Sequence, residues 1–157
     1  MEEVYNEVIQ NKSAYDRKNM KKEIKERCSS GNYVYIYSLE EIYINYPKKD
    51  GNIIYIGKAE QSDKNNRFEH HIGTKLNEGK DNSSNHTISQ YYWLDYKIRL
   101  RVYKVADNKN VKEIETELIN AHLKKYGAKP IAYGASAQSM TIFELNNKNY
   151  EEVNKYI

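Results

Sequence analysis

Apolar and polar positions alternate from Lys97 to Tyr103 within Lys97-Ile98-Arg99-Leu100-Arg101-Val102-Tyr103-Lys104-Val105. Ile98, Leu100 and Val102 fall on one face, and Lys97, Arg99, Arg101 and Tyr103 on the other. A period of two predicts a strand buried on one side and polar on the other. Tyr33-Val34-Tyr35-Ile36-Tyr37 and Ile53-Ile54-Tyr55-Ile56-Gly57-Lys58 are instead unbroken runs of β-branched and aromatic residues. Bounded by Ser29-Ser30-Gly31-Asn32 and Asp50-Gly51-Asn52, they predict two short buried strands of a hairpin.

The pattern changes to a helical period after Asn110. Asn110 with Glu113 three residues on predicts an N-cap with a capping-box partner, and Gly127 a C-terminal stop. Val111, Ile114, Leu118, Ile119 and His122 define the inward face of this helix. Glu115 lies near its middle, about 40° from Val111 at 100° per residue. Glu113 and Glu117 point to the opposite side, with Lys124 two turns beyond Glu117. A carboxylate on the core side costs several kcal/mol unless it is paired or bound to a cation. Glu115 therefore has either a structural partner such as an arginine or a metal, and both readings stay open.

The remaining segments divide the chain at about residues 30 and 135. Residues 1 to about 28 read as a polar helical extension, with Met20 and Ile24 docking on the core. Lys18, Lys21, Lys22 and Lys25 fall within about a third of its circumference, as a solvated face or a phosphate-binding one. The core, 31–135, continues with a helix from about 66 to 76, a polar loop at 79–85 and an aromatic segment at 88–96. The tail, 136–157, contains a strand at 141–145 and a short helix after Asn149. Arg99 and Arg101 line either a DNA-facing surface or a wet sheet face. His86 reads as a loop residue and His122 as a satisfied helix histidine.

Composition narrows the class more than the mechanism. At 157 residues, with 39% hydrophobic and 30% charged content, the chain fits one folded domain and not a disordered one. A net charge of +3 permits nucleic-acid binding without requiring it. The lone Cys28 excludes an internal disulfide and a multi-cysteine zinc site, and fits a reducing compartment. Met-Glu-Glu-Val-Tyr lacks the basic start and apolar core of a signal peptide, and no apolar run reaches membrane-spanning length. The expectation is a cytoplasmic protein with no membrane partner. With 16 Tyr, a single tyrosine is weak evidence, whereas only five Arg stand against 20 Lys. An arginine at a motif position therefore says more.

The hairpin ending at Gly57, Arg67 ten residues later, and Glu115-Thr116-Glu117-Leu118-Ile119 together resemble the GIY-YIG nuclease family, over about residues 32 to 133. The resemblance implies an α/β fold with a small, mostly antiparallel three-stranded sheet flanked by helices, carrying N-terminal helical and C-terminal additions. It implies that Tyr35, Tyr55 and Arg67 converge on one scissile phosphate, with Glu115 holding one Mg²⁺ or Mn²⁺ per active site. His71, one turn from Arg67, matches a position often filled by His or Tyr, and His70 competes with it. Tyr35 would be the base and Tyr55 would orient the water. Lys58 would lower the tyrosine pKa or be a plain surface lysine. The implied function is a metal-dependent DNA endonuclease, restriction-type because no separate specificity domain fits in the chain. A structure- or single-strand-selective nuclease and a silent DNA-binding module are the alternatives, and monomer and homodimer stay open.

Three departures accompany the resemblance. Tyr33 stands two residues before the first tyrosine, where the family usually places Gly. Twenty residues separate Tyr35 from Tyr55, and the extra segment, 39–52, reads as a substrate-facing flap. Pro130-Ile131-Ala132-Tyr133 has no asparagine where the family places one.

Overall fold

Both hairpin runs and the alternating segment become strands, and they meet in one sheet. The computed structural model describes residues 1–10, 14–28, 30–60, 71–72, 76–77, 80–81, 84–133 and 149–157. The strand expected over 141–145 and most of the helix expected over 66–76 lie outside these residues, and the described part of that helix is not helical, since 71–72 form a bend and Leu76 begins a strand. In chain order the elements are β1 (Glu2–Ile9), α1 (Ala14–Arg27), β2 (Asn32–Leu39), β3 (Ile44–Asn45), β4 (Asp50–Gly51) and β5 (Ile53–Ala59). Then follow β6 (Leu76–Asn77), β7 (Lys80–Asp81), α2 (His86–Trp93), β8 (Ile98–Val105), α3 (Val111–Tyr126) and α4 (Glu151–Asn154). The main sheet is antiparallel in the order β1-β8-β2-β5.

The expected three strands are therefore four, and the first of them replaces the start of the expected N-terminal helix. Val4, Tyr5, Val8 and Ile9 repeat at helical spacing, which is why the segment reads as a helix. A bulge between Glu3 and Tyr5 reconciles that spacing with a strand. Tyr5 then faces Val102 and Ile9 faces Ile98, and both tyrosine and isoleucine are buried. The helical reading holds for α1 alone, where Ile24 is buried and Met20 packs against the core.

The two sheet faces carry different cores. Tyr35, Tyr37, Leu39, Ile98, Leu100 and Val102 form one face, covered by Ile24 and Cys28 of the α1 region and by Ile88 and Tyr92 of α2. Arg17 lies with its guanidinium 4.1 Å over the Tyr92 ring, tying α1 to α2. Val34, Ile36, Ile56 and Val105 form the other face, under Val111, Leu118 and Ile119 of α3 and Val153 of α4. Truncating fully buried Leu118 to Ala would cost about 2–5 kcal/mol. His86 opens α2. His122 is fully buried, with Nδ1 2.8 Å from the Ala128 carbonyl and Nε2 lacking a hydrogen-bond partner, so it is only half satisfied.

The caps of α3 follow the sequence. Asn110 accepts from the Lys112 amide at 3.0 Å, and its side-chain amide donates to Glu113. Gly127 closes the helix at φ 84°, a left-handed conformation that suits glycine. The segment expected as a flap is a short β3–β4 ribbon docked on this helix end. Tyr46 is buried, donates to the Ile53 carbonyl at 2.7 Å, and stands edge-on to His122. Lys48 donates its backbone amide to the Tyr126 carbonyl. No helix among the described residues is long and apolar enough to cross a membrane.

Candidate active site

The register of β2 against β5 builds the centre of the site. Tyr35 pairs with Gly57 and Tyr37 with Tyr55, so three tyrosines share the face that α1 and α2 cover. Gly57 makes their arrangement feasible. A Cβ there would stand 2.6 Å from the Tyr55 ring and 2.7 Å from the Tyr35 hydroxyl oxygen. Without it, the Tyr35 and Tyr55 rings stack with centroids 5.8 Å apart. His71 enters above them, its ring 4.7 Å from Tyr55, 5.5 Å from Tyr35 and 5.9 Å from Tyr37. Its neighbour Ile72 is buried in the same core and anchors it.

A hydrogen-bonded chain runs through this cluster. Tyr35 Oη lies 2.7 Å from His71 Nε2, and Ser84 Oγ lies 3.2 Å from His71 Nδ1. With the proton on Nδ1, His71 donates to Ser84 and accepts from Tyr35, which satisfies both contacts. Tyr35 is 1% exposed and His71 7%, whereas Tyr55, Glu115 and Tyr133 are half-buried. The open side of the cluster is therefore the side of Tyr55, Glu115 and Tyr133.

Tyr133 reaches the cluster through the β5 bulge. Ile54 is the extra residue between the Tyr37–Tyr55 and Ser38–Ile53 pairs. Its carbonyl accepts from the Ala132 amide at 2.8 Å, while the Ala132 carbonyl accepts from Asn85 at 3.0 Å. These two bonds pin the segment, and the Tyr133 ring comes to 6.3 Å from Tyr55. Burial first, then the charges of Glu115 and Tyr55, push the Tyr133 hydroxyl up to about 12. Burial likewise holds Tyr35 well above the usual tyrosine range, with Tyr55, Tyr37 and Glu115 adding to it. The α3 carboxylate thus acts on both hydroxyls. Glu117 is half-buried too, not the fully outward residue that the helical wheel gives. Lys124, two turns on along its face, lies over the Tyr150 ring, so that side of α3 is partly covered near α4.

Other expected site residues fall elsewhere. Lys58 points to the sheet face opposite Tyr55 and pairs with Glu60, two residues on. It is not among the charges acting on Tyr35, so the expected lowering of the tyrosine pKa by Lys58 gives way to a rise caused by burial. Arg99 is gripped by Glu40 through two hydrogen bonds of 2.7 and 2.9 Å and donates to Asn6 at 2.7 Å. It is therefore an ion-paired residue and not a freely solvated one. Arg101 is half-buried, with its Nε lacking a hydrogen-bond partner. On α1, Lys18, Lys22 and Lys25 are exposed and Lys21 is half-buried, with Lys22 3.9 Å from Glu26. Arg67 and His70 lie outside the described residues.

The structure brings together Tyr35, Tyr55 and His71 and adds Tyr133 and Ser84, while Glu115 reaches the group through its charge, which acts on Tyr35 and Tyr133. Neither addition carries a local signal, because each is placed by hydrogen bonds to distant backbone or side chains. Among the described residues no three His, Cys, Asp or Glu side chains gather as a metal cage. Comparison with family models, with curated proteins and with solved structures finds no match to this chain.

Proposed function

We propose that this chain is a divalent-metal-dependent DNA endonuclease of the GIY-YIG type, most similar in organisation to a small restriction enzyme. The observation that carries the proposal is the 2.7 Å contact between Tyr35 Oη and His71 Nε2 beside Tyr55, within the field of Glu115. An ordinary sheet hairpin has no need for a glycine that clears space for two tyrosines, nor for a buried carboxylate-influenced hydroxyl hydrogen-bonded to histidine.

The chemistry follows from these residues. Ionising a free tyrosine at pH 7 costs roughly 4 kcal/mol at a pKa near 10, and burial raises that cost for Tyr35. His71 removes the need for a free tyrosinate. As Tyr35 takes a proton from the attacking water, its own hydroxyl proton moves to His71 Nε2. The resulting hydroxide adds to phosphorus, the P–O bond to the departing strand end breaks, and that oxygen takes a proton from solvent. Tyr55, on the open side, orients the water, and Arg67 is expected to bind the phosphoryl oxygens in a fork. Glu115 is the residue that would hold Mg²⁺ or Mn²⁺, one per site, with water and phosphate oxygens completing a shell of the kind Mg²⁺ prefers. When bound, the ion supplies positive charge to the phosphoryl oxygens. Tyr35 and Tyr133 are both relieved of repulsion once the Glu115 charge is neutralised.

A silent DNA-binding module is the second reading, favoured by the near-complete burial of Tyr35. Plasmid and single-stranded DNA incubated with the protein, with and without Mg²⁺, separate the two. Discrete Mg²⁺-dependent fragments fit the restriction-type enzyme, and smears a non-specific nuclease. DNA that is retarded but intact would leave only the binding module.

A further inference from the structure

From the charge distribution around the end of α3, we infer that a lysine strip formed by Lys48, Lys49 and Lys129 binds the phosphate backbone of duplex DNA beside the candidate active site. The inference rests on the nuclease reading and locates the partner's contact surface. Residues 45–51 and 123–133 together contain five lysines, Lys48, Lys49, Lys124, Lys125 and Lys129, against one carboxylate, Asp50.

The fold concentrates these charges. The ribbon docks on the last turn of α3, where a Cβ at Gly127 would meet Lys48 Cγ at 3.0 Å and Pro47 Cβ at 3.1 Å. Two ammonium groups share one ring: Lys49 Nζ lies 5.1 Å and Lys125 Nζ 5.4 Å from the Tyr126 centroid. Lys129 Nζ lies 5.7 Å from the Tyr133 ring, and Tyr133 in turn stands beside Tyr55. The strip is thus continuous with the open side of the site. Tyr46, which accepts from the Ile131 amide, holds its two segments together.

Helix-dipole stabilisation accounts for Lys48, whose ammonium donates to the Lys124 carbonyl at 2.9 Å. It does not account for Lys49 and Lys129, which are not among the described ion pairs. Five like charges against the single carboxylate Asp50 raise the local potential and favour a polyanion. The competing cationic surfaces are partly neutralised. Arg99 is held by Glu40, and the α1 lysines alternate with Asp16, Glu23 and Glu26. Duplex DNA fits because its phosphates form a continuous line that can touch the strip and the catalytic cluster together.

The test measures binding of a labelled DNA duplex by fluorescence anisotropy across a range of KCl concentrations, without divalent metal. For Lys48→Gln/Lys49→Gln/Lys129→Gln, the slope of log affinity against log salt should become shallower by up to about 0.9 per contact, or up to about 2.7 in all. Lys49→Gln/Lys129→Gln, which leaves the Lys48 hydrogen bond in place, should lose up to about 1.8 by the same measure. Replacing Lys18, Lys22 and Lys25 by Gln should leave the slope near wild type. If the wild type binds DNA but both strip variants keep its slope, the strip is not the track, and the nuclease reading stands. If the wild type shows no salt-dependent binding to duplex DNA, the DNA reading itself fails and takes the strip with it.

Discussion

Gly57→Ala isolates the packing on which the catalytic cluster depends. Replacing glycine by alanine at a compatible backbone position ordinarily stabilises a protein by about 0.4–1 kcal/mol. Gly57 lies within β5 and, among the described residues, the positive-φ glycines are Gly31 and Gly127, so the backbone itself accepts alanine. Sterics reverse the sign. The new methyl would stand 2.6 Å from Tyr55 Cε1 and 2.7 Å from Tyr35 Cζ and Oη, roughly 1 Å inside normal contact. Tyr35 cannot swing aside freely, being held by His71 at 2.7 Å and packed against Tyr37. Overpacking of this kind costs about 1–3 kcal/mol, and losing the buried hydrogen bond adds about 1 kcal/mol. Set against the alanine gain, net destabilisation should be about 1–3.6 kcal/mol, or about 2–14 °C in Tm for a domain of this length. Urea unfolding followed by the fluorescence of the single Trp93 measures the first quantity directly. Cleavage should fall at least as far as in Tyr35→Phe. A variant as stable as wild type, or more stable, would refute the close approach of both rings to Gly57.

Three further outcomes follow from the geometry. Tyr35→Phe should lower single-turnover cleavage by about 10²–10⁴-fold while leaving DNA affinity nearly unchanged, because only the proton path to His71 is removed. Lys58→Met should leave the pH–rate profile in place, since Lys58 faces away and pairs with Glu60; a rising limb displaced to higher pH would restore lysine to the mechanism. His122, lowered by burial to about 4, stays neutral in the fold while the unfolded chain binds its proton near 6.5. Its contribution is complete above pH 6.5 and declines as pH falls towards 4, by about 3 kcal/mol. Urea titrations across that window should show a flatter pH dependence for His122→Phe than for wild type.

The sequence was most readable where structure is local. The segment at 97–105, the two tyrosine runs and the caps of α3 each depend on neighbours within a turn or two, and all became the expected elements, although the strand face expected to be polar buries Tyr103 and Val105 in the second core. Of the candidate site, the helical wheel separated Glu115 from Glu117 more sharply than the fold does, where both are half-buried. Strand β1 was not legible, because a bulge hides its alternation and its partner β8 lies some ninety residues away. Non-local pairing also decided the fate of Arg99, whose partner Glu40 is 59 residues distant. The Lys58–Glu60 pair was a different case. Residues two apart on a strand share a face, so the signal was present in the sequence.

Glu115 and Glu117 sit on one turn of α3, and both are chemically able to bind Mg²⁺, but Glu115 is the one whose charge acts on Tyr35 and Tyr133. Single-turnover cleavage of duplex DNA under saturating Mg²⁺, with affinity measured in parallel, separates them. Glu115→Gln should lose cleavage by orders of magnitude while DNA binding persists or tightens, because a negative charge near the phosphate is gone. Glu117→Gln should stay within a few-fold of wild type. Full activity in Glu115→Gln, or equal loss in the two variants, would contradict a metal-dependent nuclease centred on Glu115.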